Sequence, residues 1–510
     1  MPQPFSFAAP SASSARSMCE SFSRRFLYLM MGSTLRFRGK TPRTTVLRML
    51  AVGGVAQMAL ASPVSAQSSG ASTEATRTPA SADTLPTPSR TSEDWTVRVL
   101  GTQINVIAQT LRPFRSPYAS TNSLSARGDS KISHAYGGYV GVQVNPRLEG
   151  YLDVEMIRGS GISSVTGLAS PTNGDVLRQG TVDLGDGPYV ARAFLRYSLP
   201  LAATEQDTLP RGIDQIPLVV AARRIEIAAG KLAASDLFDV NRYANTTRQQ
   251  FMNWALFQNT AWDFAADTRG YTNGVAVSWI VPDWELRIGS FQMPTAANGN
   301  KFDSHLDAAR GDQIELTHSF RATGSVIRIL GYLNHARMGN YATALAIAAA
   351  MHTTPDIAAD DRPGRRKYGW GVNFEQPLAD SGETGVFARI GWNDGNNESF
   401  AFTEVDRHLS AGIQVSGRHW GRASDRLGIG GVRTGIVQIH QDYLNAGGLG
   451  FLLGDGQLTY GPEQVVETYY RAQLGSYLQV GPDLQYIRNP GYNRDRGPAT
   501  VLALRVNLRY

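Results

Sequence analysis

The 510-residue chain has a single cysteine, Cys19, and it lies in a basic N-terminal stretch. Everything after that stretch must fold without a disulfide or a thiolate metal site. Long apolar runs are also missing. From Trp95 onward nothing reaches the roughly twenty apolar residues of a membrane helix. The most apolar helical candidate, Ala342 to Met351, has about half that length. No G-x-S-x-G elbow presents an acyl-transfer nucleophile. The eight histidines show neither H-E-x-x-H nor any other tight metal spacing. Gly428 to Gly431 falls inside an alternating segment, not at a strand-to-helix turn, so it is no phosphate cradle. These absences argue against an enzyme, a cofactor and a metal.

The basic charge balance is confined to one end. Residues 1–66 hold eight basic side chains and one acidic, Glu20, which accounts for +7 of charge. The formal +6 of the whole chain therefore leaves about −1 for the remainder, and no nucleic-acid partner is implied. The basic region is followed by an apolar run, Met49 to Leu60, and by the small-residue site Val64-Ser65-Ala66. Residues 1–66 read as a secretory signal cleaved after Ala66, with Met30 or Met31 as alternative starts. Residues 67–94 are rich in Ser, Thr, Ala and Pro, have no period, and read as a disordered leader. Residues 95–510 form the remaining domain.

What that domain does have is alternation. Leu502, Leu504, Val506, Leu508 and Tyr510 fall on one face of the last segment; Ala503, Arg505, Asn507 and Arg509 fall on the other. Leu148, Gly150, Leu152, Val154 and Met156 oppose Glu149, Tyr151, Asp153 and Glu155. Tyr189, Ala191, Ala193, Leu195 and Tyr197 oppose Arg192, Phe194 and Arg196. The charged faces would not be tolerated unpaired in a filled core, but a watery lumen accepts them. With lipid on one side and water on the other, this period-2 pattern is required. Without a membrane helix, only a closed barrel can span a bilayer.

The connections alternate too. Asn145-Pro146, Val281-Pro282-Asp283, Arg321-Ala322-Thr323 and Gly481-Pro482 read as tight turns. Between them lie long stretches at Gly159–Gly187, Leu232–Arg269, Pro294–Gly311, Gly339–Arg366 and His440–Pro462. The fold class is all-β: a transmembrane antiparallel β-barrel of about sixteen strands with long extracellular loops. Strands are expected to begin near residues 95, 132, 146, 187, 217, 270, 283, 311, 323, 366, 383, 400, 425, 463, 482 and 498. Trp95, Trp279, Trp284, Trp370, Trp392 and Tyr510 are placed for the interfacial girdles.

The domain resembles the carbohydrate-selective porins (OprB type). The likeness rests on Gly230-Lys231, Asp236, Phe238-Asp239, Asn241, Tyr243-Ala244-Asn245 and Phe251. It continues through Glu463, Glu467, Tyr469-Tyr470, Pro482 to Ile487, Asn489-Pro490-Gly491 and Asp495 to Pro498. The Ser/Thr/Pro-rich leader and the final Tyr510, where such barrels more often end in phenylalanine, depart from the pattern. The resemblance implies a sixteen-stranded outer-membrane barrel of a Gram-negative bacterium that passes small sugars such as glucose. It also implies outer-membrane lipid around the barrel and an assembly machinery that reads the terminal strand, residues 499–510. A homo-oligomer is compatible with this plan.

A sugar constriction needs aromatic faces for the pyranose and charged or amide groups that replace its water. Asp236 to Phe264 supplies both and is expected to fold inward, with Asp239, Asn241 and Trp254 facing sugar. Lumen arginines are Arg192, Arg196, Arg224, Arg328, Arg389 and Arg471; lumen acids are Glu149, Asp153, Glu155, Glu226, Glu285, Glu404 and Glu467. The constriction set is Asp236, Asp239, Asn241, Trp254, Arg192, Arg224, Arg389, Glu404 and Glu467. Mixed signs give a transverse field with weak ion selectivity. The alternatives are a general or polysaccharide-export channel, a barrel-embedded hydrolase, and an adhesive barrel.

Overall fold

The computed structural model describes residues 96–176, 184–185 and 187–510. The expected signal, the leader, Trp95 and part of the Gly159–Gly187 connection lie outside the described residues. Strands β1 (Thr96–Leu111), β2 (Asp129–Asn145), β3 (Leu148–Gly159) and β4 (Tyr189–Leu209) open the barrel. They are followed by β5 (Leu218–Leu232), β6 (Thr272–Val281), β7 (Trp284–Gln292) and β8 (Arg310–Phe320). Next come β9 (Ser325–Met338), β10 (Arg362–Ala379), β11 (Thr384–Asn393) and β12 (Arg407–Ser416). The last four are β13 (Arg426–Gly435), β14 (Glu463–Leu474), β15 (Leu478–Arg488) and β16 (Ala499–Arg509).

Each strand pairs with its sequence neighbours, and β16 pairs with β1 to close the ring. The closing ladder runs from Gln103 opposite Arg509 to Leu111 opposite Val501. No edge is left, so each strand's backbone donors and acceptors find partners without water. The faces divide as their side chains require. On β16, Leu502, Leu504 and Leu508 are exposed outward while Arg505 and Asn507 are buried inward. On β3, Leu152 and Val154 face out while Glu149, Tyr151, Asp153 and Glu155 are buried in the lumen. Trp279, Trp284, Trp370 and Tyr510 are exposed at the rims; Trp392 is half-buried beneath Arg407.

Three local expectations need correction. The twelfth strand begins at Arg407, not near residue 400, because residues 399–405 pack inward. The Asp263 carboxylate accepts from the Phe400 and Ala401 amides at 2.9 Å, and the Phe402 ring stacks on Trp254 at 4.6 Å. Gly481-Pro482 is not a turn but lies within β15. The β14–β15 ladder pairs Tyr469 with Asp483 and Ala472 with Val480, and is interrupted where Pro482 has no N–H to donate. In β4 the register slips between Asp153 opposite Arg192 and Val154 opposite Val190. That bulge puts Val190 outside and buries Ala191, reversing the expected placement of Tyr189 and Ala191 beside Leu195. Bulges re-aim side chains, and this one turns Ala191 inward while Arg192 keeps its place in the lumen beside Phe194 and Arg196.

Short connections lie at one end of the barrel, as between β2 and β3 or β6 and β7, and long ones at the other. The long ones carry three α-helices: α1 (Trp254–Phe257), α2 (Tyr341–Met351) and α3 (Gln438–Asn445). Helix α2 is the apolar run noted above. It is capped by the Asn340 side chain accepting from the Thr343 amide, and ends at His352 with φ 54°. No helix among the described residues is long and apolar enough to cross a membrane.

The outer face of β16 gives a direct test. Leu504 lies at mid-strand and is 49% exposed. Leu504→Arg is expected to lower unfolding free energy in lipid vesicles by about 2–4 kcal/mol. A urea titration showing no change would mean that this face does not meet lipid.

Candidate functional site

The segment between β5 and β6, residues 233–271, turns into the barrel as expected and packs on the wall formed by β8 to β16. Its anchor is Asp239, held at φ 56°. This left-handed conformation is one that aspartate tolerates better than most residues. The Asp239 amide donates to Glu315 at 2.8 Å. Its carboxylate accepts from the Asn259 amide and from Asn373 Nδ2, each at 2.8 Å, and pairs with Arg389 Nε at 3.0 Å. Arg389, fully buried, also donates to the carbonyls of Leu256 (3.2 Å) and Ala244 (2.8 Å). Farther along the loop, Glu467 accepts from the Met252 and Asn253 amides at 2.5 and 2.9 Å. Arg505 donates to the carbonyls of Thr247 and Gln250. Lys367 pairs with Asp263 at 3.2 Å.

Close approach is made possible by two facing glycines. A Cβ at Gly371 or Gly391 would stand 2.2 or 2.0 Å from the Asn259 amide group. A side chain at either position would push the loop off the wall.

The loop fills that side of the lumen and leaves a cavity of about 720 Å³ against β1 to β5. Two arginine centres flank it. Arg192 faces Asp236 at 2.6 Å, Asp153 at 3.1 Å and Asp214 at 3.4 Å. Arg248, from the loop, binds Asp175 at 2.9 Å, Glu155 at 3.2 Å and Tyr139 Oη at 3.1 Å. Burial would lower the Arg248 pKa, but Asp175 and Glu155 outweigh it and hold the guanidinium charged. Burial raises the Asp214 carboxyl against the attraction of Arg192. Trp254 and Phe257 supply aromatic surface, their rings 5.1 Å apart. A second cavity of about 390 Å³ shares Tyr139, Gln249 and Arg509 with the first and reaches Tyr477 and Tyr510 at the short-turn end.

Of the sequence-derived set, Asp236, Trp254 and Arg192 line the cavity. The others stand elsewhere. Asp239, Asn241, Arg389 and Glu467 are buried in the contact between loop and wall; Asn241 donates to Asn373 at 2.7 Å. Their polar groups are consumed by loop backbone, which is why they do not line the cavity. Arg224 pairs with Asp207 at 3.1 Å and Glu226 at 2.5 Å, away from the main cavity. Glu404 is buried among the outer loops, where it accepts from the Leu452 amide at 2.5 Å and lies 3.6 Å from His440. Burial would lower the His440 pKa, but Asp406 and Glu404 outweigh it and raise it.

Sequence reasoning missed Arg248, Asp175 and Asp214 as site residues. Arg248 was inside the expected loop, where weight fell on aromatics and amides. Asp175 and Asp214 reach the lumen from the β3–β4 and β4–β5 connections, which carry no period that marks them as inward.

A family model, "Carbohydrate-selective porin, OprB family", matches residues 201–510. The high-pH structure of Pseudomonas putida OprB is similar with a TM-score of 0.60 and 14% identity, covering 82% of this chain and 94% of that one. The low-pH structure of the same protein gives 0.41 and 12%, covering 82% and 93%. Salmonella typhi OmpF in complex with daunomycin gives 0.45 and 10%, covering 81% and 97%. No curated protein matches the sequence.

The Asp239–Arg389 pair makes a prediction. Removing one partner strands a buried charge, so Arg389→Ala is expected to cost about 3–5 kcal/mol of stability. It should also add open-channel current noise as the loop loosens. Unfolding and single-channel recordings indistinguishable from the parent would show that the pair does not hold the loop.

Proposed function

The chain belongs to the carbohydrate-selective porin (OprB) family, and from that membership we propose which of its groups meet the sugar. It is a passive, sugar-selective channel of the Gram-negative outer membrane. Our reading is that monosaccharides or small sugars cross through the cavity between the inner loop and β1 to β5. The observation that carries this is the charge balance of the lining: five arginines (Arg192, Arg196, Arg211, Arg248, Arg509) against four carboxylates (Glu155, Asp175, Asp214, Asp236). A neutral polar solute gains hydrogen bonds from both signs, while an ion of either sign meets repulsion as well as attraction.

The cavity volume falls within the roughly 300–1,000 Å³ of small-molecule sites. A sugar passing Arg192 and Asp236 would exchange hydroxyl–water bonds for charge-assisted ones, and Trp254 offers a face for the apolar side of the ring. Because Arg192 and Arg248 already have carboxylate partners, the sugar competes with existing bonds and is held weakly. Weak holding is what a conducting pore needs. In this reading residues 1–66 direct secretion and are cleaved after Ala66, residues 67–94 lead into the barrel, and residues 499–510 are read by the assembly machinery. Asp239, Asn241, Arg389 and Glu467 act by positioning the loop.

The test is conductance of the purified chain in a planar bilayer, titrated with glucose and then with phosphate. Glucose should block in proportion to its concentration, and a salt gradient should give a reversal potential near zero. Trp254→Ala should raise the half-blocking glucose concentration about fivefold, equivalent to about 1 kcal/mol of lost stacking. Conductance without sugar block would leave a general pore. Strong anion preference with phosphate block would point to a different solute.

A further inference from the structure

At the long-loop end, the outer face of β5 to β10 carries a row of polar side chains that the ladder sets side by side. Lys231 is paired with Asn273, Gln292 with Arg310, Arg310 with His335, and His335 with Arg366. Asn273 Nδ2 donates to Gln292 Oε1 at 3.0 Å and completes the row. These positions alternate along their strands with buried lumen residues such as Thr272, Phe291 and Lys367, so the row points away from the channel. Arg310 pairs with Asp312 at 2.8 Å, which also accepts from Ser290 at 2.7 Å. Among the described residues no ion pair joins a carboxylate to Arg366. The buried Nδ1 of His335 has no hydrogen-bond partner among the described residues.

Directly below this row the outer surface is indented. A depression of about 560 Å³ lies among Val275, Val277, Ile288, Ile314, Gly331 and Leu333. Gly331 makes the space: the nearest heavy atom to where its Cβ would stand is Ile314 Cγ2, at 3.6 Å. Tyr368 and Trp370, 51% and 45% exposed, follow Arg366 on the same face of β10. Such aromatics mark the level where headgroups meet acyl chains. In the ladder Tyr368 and Trp370 stand opposite Leu333 and Gly331. The trough therefore begins at the aromatic level and runs toward the acyl chains, while the basic row lies beyond the aromatics toward the headgroups.

We propose that this face binds one phosphate-bearing lipid of the outer leaflet. Its phosphate would lie on Arg310, His335 and Arg366, and one acyl chain would lie in the trough. Arginine forks match phosphate oxygens, and basic clusters at a membrane surface attract anionic headgroups. A free anion would use the row but not the trough. A second copy across a two-fold axis would bring the same patch against itself and set this basic row against its own like charges. The lipid satisfies both halves of the surface. The site is separate from the sugar path, so the two readings fail independently.

The experiment is native mass spectrometry of the full chain in non-ionic detergent, titrated with bisphosphorylated lipid A and with its dephosphorylated form. The expected result is one lipid per barrel, with the dephosphorylated form and the Arg310→Gln/Arg366→Gln variant each weaker by about tenfold. Gly331→Leu, which fills the trough and leaves the row intact, should weaken binding by a similar factor. Inorganic phosphate in large excess should fail to displace the lipid. Single-channel conductance should be unchanged in all variants and reports that they are folded. Equal binding by parent and variants would overturn the proposal, as would complete displacement by inorganic phosphate or a dimer that excludes the lipid. If a variant fails to insert, the parent's discrimination between the two lipid forms decides the matter.

Discussion

In hydrocarbon an unpaired backbone N–H or C=O has no water to turn to, and this constraint shapes every part of the molecule. The pairing of β1 with β16 removes the last edge, and all other features follow from a wall that must be apolar outside. Outward positions fill with Leu, Ile and Val, and aromatic side chains collect at the rims. Inward positions are released from that demand, so they can hold arginine, glutamate, asparagine and glutamine in numbers that a filled core would not tolerate.

A ring of sixteen strands encloses more space than wall side chains can fill, so the chain returns to occupy it. The inner loop is held by the lumen's own polar groups: Glu315, Asn373, Arg389, Glu467 and Arg505 bind its amides, carbonyls and Asp239. These groups satisfy one another, which keeps desolvated charges from being a liability. The same arrangement leaves an open cavity between the loop and β1 to β5. The lumen charges divide into those that hold the loop and those, around Arg192 and Arg248, that face open space.

This division explains what was legible in the sequence. Alternation set the strand number and nearly every strand position, because a lipid-exposed face tolerates few exceptions. It erred where local chemistry overrode period: Pro482 stays in a strand at the cost of an interrupted ladder to β14, and residues 399–405 pack inward instead of extending β12. The bulge at Arg192 left no trace in the pattern, since Tyr189 and Ala191 continue the alternation past it. Of the residues expected at a constriction for their chemistry, Asp236, Trp254 and Arg192 line the cavity. Asp239, Asn241, Arg389 and Glu467 share that chemistry and serve as anchors, and residue type does not distinguish the two roles.

By itself the sequence determined a disulfide-free chain, an alternating barrel of sixteen strands and a polar, aromatic loop between β5 and β6. Those features depend on neighbours one or two residues apart, and periodicity records them directly. Only the tertiary structure decided which carboxylates meet Arg192, that Arg248 reaches Glu155 and Asp175, and that the outward arginines of β8 and β10 flank one histidine. These juxtapositions join residues that are far apart in the chain. Ladder register and loop packing bring them together, and neither leaves a periodic mark in the sequence.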